Sequence, residues 1–326
     1  MNHLLASTDV NPINRRAAIR ALGATAAMAF LPSVRAAKPD KDSLPMQFYK
    51  SLNEEQRRAI TLPLNDSRRE FVSNWWYVNP KQRLHTFFND DQRDLVQQIF
   101  DLLHHPEHRE KMRWQVQKDL MGQIKNTPSV GFFGTPEDDD FEFIYTGHHV
   151  TRRCNAHTDK GLGFGGRPIF YGNFAKAFRE GPKHEGNPFW YQGVVFNEFV
   201  SSLDGKQREK ILVGREPRSE KPAAVIKKRK TDLPGLSTAD LSADQKEKLL
   251  ETMRRMLVCF RADDVDATIK TIKERKLVDR LWVSCYGGRY DIGRDGVWDT
   301  WQIEGPEMVW YFRGMPHIHG YFHVTG

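Results

Sequence analysis

Phe48-Tyr49-Lys50-Ser51-Leu52-Asn53-Glu54-Glu55-Gln56-Arg57-Arg58-Ala59-Ile60 returns, 151 residues later, as Phe199-Val200-Ser201-Ser202-Leu203-Asp204-Gly205-Lys206-Gln207-Arg208-Glu209-Lys210-Ile211, with six positions identical. Two weaker echoes keep almost the same spacing. Phe88-Asn89-Asp90-Asp91-Gln92-Arg93 matches Leu241-Ser242-Ala243-Asp244-Gln245-Lys246, and Phe133-Gly134 matches Tyr286-Gly287, both at an offset of 153. Any one match is at chance level. Their agreement in offset indicates a chain built from two related halves. In all four helix-like segments an Asn, Asp or Ser (Asn53, Asn89, Asp204, Ser242) stands three residues before a Gln and just after a large apolar residue. That is a capping box, in which the first side chain accepts from the N3 amide and Gln reaches back to the cap. The repeated polar residues therefore read as helix starts rather than as chemistry.

Outward from these starts the apolar spacing becomes helical. Leu95, Ile99, Leu102 and Leu103 share one face, and Leu249, Leu250, Met253, Met256 and Leu257 share another. Each half then runs into strand-like segments: 141–146 in the first, and 281–285, 300–303, 308–312 and 318–324 in the second. Helices followed by strands, twice, predict an α+β fold of internally duplicated helix–helix–strand units with a mainly antiparallel sheet. A single compact domain is expected over 44–326, with halves at about 48–150 and 199–326 and a Gly-rich connecting segment 151–198. Residues 215–238, rich in Lys, Pro, Ser and Thr, read as a loop.

The N-terminus has a different character. Arg15-Arg16 precede a short apolar stretch, Ala21–Leu31, and then Val34-Arg35-Ala36 before Ala37. A paired arginine before a mild, Ala/Gly-rich segment resembles a twin-arginine signal, read by a receptor rather than used as an anchor. Residues 1–36 are accordingly expected to be removed, with the protein handed to the twin-arginine export machinery and delivered to the periplasm. Eleven apolar residues do not span roughly 30 Å of hydrocarbon, so no permanent membrane anchor is expected. The chain carries +7; loss of residues 1–36 leaves +4. That is a solubility-scale charge, and the one dense basic run, Lys227–Lys230, has no aromatic residues interleaved, so no nucleic-acid partner is expected. Cys154, Cys259 and Cys285 are too few for a disulfide framework, although one bridge can form in an oxidising compartment.

Histidine is the chemically informative residue. His148-His149 and His317-Ile318-His319 each follow an aromatic strand that ends in Gly. A His-x-His on a strand puts both rings on one face. Convergence of the two strand ends would give a three-histidine metal site from His149, His317 and His319, with His157 or His323 in reserve as third ligand. Three histidines and an open position suit one transition metal ion, zinc, iron or copper. Arg153 and His157 are the candidate catalytic side chains: Arg153 shares the parity of His149 and would bind an anion, and His157 would line the substrate side. Glu198, Glu304 and Asp159 are the candidate acceptors for the outer ring nitrogens. Cys154 with His157 offers a nucleophile–base pair. Gly161–Gly166 fits GxGxxG, but the residues after it read as strand or turn, which argues against dinucleotide binding and for positive φ angles.

The Ser-Leu-x-x-x-Gln-Arg helix starts, Tyr145-Thr146-Gly147-His148-His149, Phe164–Gly172 (FGGRPIFYG) and His317-Ile318-His319 together resemble the bacterial domain of unknown function 3500 family, from about Leu44 to the C-terminus. The resemblance implies an exported domain and no established activity. The family's terminal histidine segment usually continues into Trp-Arg-Asp, whereas Gly320-Tyr321-Phe322-His323 stands here, so no role of that Arg or Asp carries over. Two functions follow as expectations. One is a periplasmic metal-dependent enzyme, redox or hydrolytic, acting on a small-molecule substrate. The other is a non-catalytic periplasmic ligand-binding protein using Trp190, Tyr191 and Phe170 as stacking surfaces.

Overall fold

A computed structural model describes residues 43–137, 140–155, 163–173, 188–214, 220, 225–226, 233–286, 300–314 and 317–325. The expected signal segment, His157, Asp159, Gly161 and Gly287 lie outside the described residues. The helices are α1 (Leu44–Ser51), α2 (Glu54–Ile60), α3 (Leu84–Phe87), α4 (Asp90–Leu102), α5 (Arg109–Asp119), α6 (Tyr191–Val200), α7 (Gly205–Ile211), α8 (Ala243–Met256) and α9 (Ala262–Glu274). The strands are β1 (Thr61–Leu62), β2 (Ser129–Phe133), β3 (Glu142–Gly147), β4 (Val150–Asn155), β5 (Ile169–Gly172), β6 (Leu212–Val213), β7 (Leu236–Ser237), β8 (Trp282–Tyr286), β9 (Thr300–Glu304), β10 (Met308–Arg313) and β11 (His319–Val324). All are in one sheet, in the order β1-β2-β3-β4-β5-β11-β10-β9-β8-β6, with β7 beside β8. Helices and strands are thus mixed, and the pairing is antiparallel except that β1 joins β2 and β6 joins β8 in parallel.

All four capping boxes form, each with both reciprocal bonds. Their glutamines do more than cap. Gln56 and Gln92 exchange amide bonds of 3.0 and 2.9 Å, and Gln207 and Gln245 exchange bonds of 2.9 and 2.8 Å. Each pair ties two helix starts of its own half together, so every buried amide group there is matched. The register repeats as well: Leu62 pairs with Phe133 and Val213 with Tyr286, which reproduces the offsets of 151 and 153.

Each half then forms a four-stranded meander, β2-β3-β4-β5 and β8-β9-β10-β11, and the two join edge to edge through β5 and β11. The first meander therefore runs to Gly172, not to residue 150, because β4 and β5 come from the stretch expected to be a connector. The expected equivalence of the two histidine segments does not hold either. His148-His149 turn from β3 to β4, the second and third strands of their meander, whereas His317 precedes and His319 opens β11, the fourth strand of the other.

Side chains alternate between the two faces of the sheet. Phe143, Tyr145, Tyr171, Trp301, Trp310, Phe312 and Phe322 pack with the helices in one core. Trp301 stacks between Phe196 of α6 (4.4 Å) and Phe312 (5.2 Å). Burying each such ring contributes roughly 1.5–3 kcal/mol. The buried face of α4 is Val96, Ile99 and Phe100, continued by Leu103; Leu102 is exposed. α8 buries Leu249, Leu250, Met253 and Met256, as expected. The opposite face of the sheet carries Ile144 under Val78, Trp76 and Leu64, and further along it Phe170, Tyr321, Tyr311 and Tyr286. Residues 38–326 make one compact unit. Among the described residues no helix is long and apolar enough to cross a membrane.

Candidate metal centre

The seam between the meanders places the histidines. Val150 of β4 pairs with Tyr171 of β5, and on the other side of β5 Gly172 pairs with His319. One residue beyond Val150, His149 thus stands in the row of Gly172 and His319. Two strand spacings, about 9.6 Å, separate β4 from β11. Gly172 lies between them without a side chain, so the two imidazoles reach toward each other above it. The space is already filled: a Cβ on Gly172 would lie 2.3 Å from the Ile318 carbonyl oxygen and 3.3 Å from His149 Cδ2. His149 takes a left-handed backbone (φ 55°), which turns the chain sharply into β4, and its N–H is fixed on the Asn74 carbonyl at 2.7 Å.

The resulting geometry is specific. His149 Nε2 lies 3.0 Å from His319 Nε2, and His319 Nε2 lies 2.8 Å from His317 Nε2. Nitrogens sharing one ion stand roughly 3–3.5 Å apart. The outer nitrogens meet carboxylates: His149 Nδ1 is 3.2 Å from Asp119 Oδ2, and His319 Nδ1 is 2.8 Å from each oxygen of Glu220. A carboxylate only accepts, so each of these Nδ1 atoms carries the proton and each Nε2 presents its lone pair inward. Arg313 Nη2 also lies 2.8 Å from His319 Nδ1 and would favour a lone pair there. Arg313 is already paired to Glu220 at 2.6 Å, so the carboxylate decides the tautomer. His149 and His319 then face each other as two acceptors at 3.0 Å. That arrangement is repulsive alone and favourable around a cation.

Electrostatics agree. His149 is fully buried, and burial, reinforced by the Arg313 charge, pushes it down to about 3. His317 is also held at about 3, by burial and then by His149 and Arg313, and His319 is lowered well below its ordinary range by the same causes. The three rings are neutral at physiological pH, the state in which imidazole ligates a metal.

A second set, Asp119, His148 and His149, also lies within ligand distance. The His148 and His149 rings, however, stack at 3.9 Å and 29°. Ring lone pairs lie in the ring plane, so stacked imidazoles point side by side rather than at one ion. His148 Nδ1 is moreover 3.2 Å from the Asp119 carbonyl oxygen. Asp119 therefore acts as the carboxylate that orients His149.

The other candidate residues go elsewhere. Arg153 is four residues along β4 from His149, roughly 13 Å. Its guanidinium is buried against Glu142 (2.5 Å), Pro168 O (2.8 Å) and Phe71 O (2.9 Å), with Arg69 on the second carboxylate oxygen. It forms a structural ion pair and lies away from the histidine cluster. His323 is likewise four residues from His319. It lies in the row of Val309 and Glu304, so neither the reserve ligand nor the expected acceptor Glu304 reaches the cluster. Glu198 is exposed and paired with Arg255. Cys154, Cys259 and Cys285 are buried free thiols. Burial pushes Cys154 up to about 12, the wrong direction for a nucleophile. Phe164, Gly165 and Gly166 adopt positive φ, and the Phe164 N–H donates to Asp264 on α9 at 3.2 Å, a packing role. Trp190 belongs to the helix-side core and Phe170 to the opposite face, so the aromatic pocket expected of a binding protein does not assemble.

Sequence reading missed Asp119, Glu220 and Arg313. None carries a local signal: Asp119 ends α5, Glu220 falls in a Lys-rich stretch, and Arg313 ends a strand. Only tertiary placement brings them to the imidazoles.

No curated protein and no solved structure matches the chain. The family described as protein of unknown function (DUF3500) matches residues 42–324, which takes in both meanders and every histidine of the cluster, and the chain belongs to that family.

Proposed function

We propose that this protein is an exported, periplasmic metal-dependent enzyme. His149, His317 and His319 hold one transition-metal ion through their Nε2 atoms. The observation that carries this reading is the facing pair of acceptor nitrogens, 3.0 Å apart, whose tautomers Asp119 and Glu220 fix from behind. Three neutral imidazoles leave an open coordination position, and His317, the most exposed of the three, marks its side. When bound, the ion supplies Lewis acidity or one-electron chemistry to a small molecule. The chain's own residues orient the ligands, keep them neutral and exclude water from the inner side. Export by the twin-arginine route, inferred from Arg15-Arg16, fits loading of the ion in the cytoplasm before translocation.

Elemental analysis of protein purified without an affinity tag tests the reading. About one zinc, iron or copper per chain is expected, lost in H149A and H319A variants that still fold. Wild-type protein that takes up no ion from stoichiometric zinc or copper overturns it.

A further inference from the structure

Behind the metal ligands stands a column of rings that the proposed site does not itself require. Trp75 stacks on His148 with centroids 4.3 Å apart and planes 24° apart, and His148 stacks on His149 at 3.9 Å and 29°. His149 Nε2 is one of the three nitrogens at the centre. At the other end the indole is 46% exposed, which sets it among the most exposed large apolar side chains described. The column is fixed at every level. Trp75 and His148 form a backbone bridge, the His149 N–H holds the Asn74 carbonyl at 2.7 Å, and Trp75 Nε1 donates to Tyr77 Oη at 2.9 Å.

We propose that Trp75, His148 and His149 form an electron path from solvent to the metal, and that the ion held by the three histidines is redox-active, copper or iron rather than zinc. The inference rests on the proposed metal site. Three features point to it. The rings overlap face to face without an intervening gap, so their π systems couple directly. The first ring meets solvent where a one-electron donor can touch it, and the last ring is a ligand. Rigid fixation keeps the rearrangement accompanying charge movement small. A hydrolytic ion has no use for such a column.

The step balances as a single electron transfer. A one-electron donor at the indole is oxidised by one electron, the oxidised ion is reduced by one, and no bond is made or broken. Trp75, His148 and His149 end in the state in which they began. Trp75 and His148 act as positioning residues here, since neither touches the ion.

The test uses the full mature chain loaded with Cu(II), with one copper per chain verified by elemental analysis and by its electron paramagnetic resonance spectrum. Hexaammineruthenium(II), an outer-sphere one-electron donor, is mixed in by stopped flow and loss of the Cu(II) signal is followed. Trp75→Leu should slow the reduction by about tenfold or more, and Trp75→Phe, which retains a ring, by less. A second readout needs no turnover: Cu(II) should quench an indole emission component that Trp75→Phe lacks, and Zn(II) should leave that component bright. Reduction of Trp75→Leu at the wild-type rate, with an unchanged copper spectrum, overturns the path while leaving the metal site standing. Wild-type protein that binds no copper overturns both.

Discussion

Replacing Gly172 by Ala probes the geometry that creates the site. The added Cβ would sit 2.3 Å from the Ile318 carbonyl oxygen, and real Cβ contacts do not fall below 3.0 Å, so the chain entering β11 must retreat by at least about 0.7 Å. The same Cβ lies 3.3 Å from His149 Cδ2, which presses the second imidazole away in the other direction. Overpacking of this kind costs about 1–3 kcal/mol. For a chain of this size that lowers Tm by roughly 2–10 °C. The effect on the metal should be larger than the effect on the fold. Ligand positions matter to within about 0.2 Å, and the displacement exceeds that severalfold. Zinc or copper affinity should therefore fall by at least about 10–100-fold, the scale seen when ligand orientation alone is disturbed. Isothermal titration of the apo protein, alongside thermal melts with and without metal, reads both quantities. A Gly172→Ala protein that melts lower but binds metal with wild-type affinity would refute the argument that the histidines converge because residue 172 has no side chain.

Two further outcomes are expected. Arg153→Met leaves Glu142 buried with Arg69 as its remaining partner, and breaking a buried pair costs about 3–5 kcal/mol. Chemical denaturation should show that loss, while metal affinity stays at the wild-type value. Weakened metal binding without destabilisation would return Arg153 to the site. Replacing Arg15 and Arg16 by Lys should leave uncleaved precursor in the cytoplasm, as seen by fractionation and immunoblot; normal periplasmic accumulation would contradict the export route.

What the sequence determined by itself is local. The capping boxes at Asn53, Asn89, Asp204 and Ser242 were legible because a cap and its Gln are three residues apart, and their offsets already contained the register of Leu62 with Phe133 and Val213 with Tyr286. The choice of His149, His317 and His319 was legible as residue type and strand parity, though the expected reason was wrong. They meet because β5 lies between their strands and ends in Gly172, not because the two halves place them at equivalent positions. Tertiary structure alone decided the rest. Parity says which face a side chain takes but not how far along the strand its partner lies, so Arg153 and His323 had the right face and the wrong row. Asp119 and Glu220 are 30 and 99 residues from the imidazoles they orient. A contact closed over such a span leaves no periodic trace in the chain, because only the fold brings its ends together.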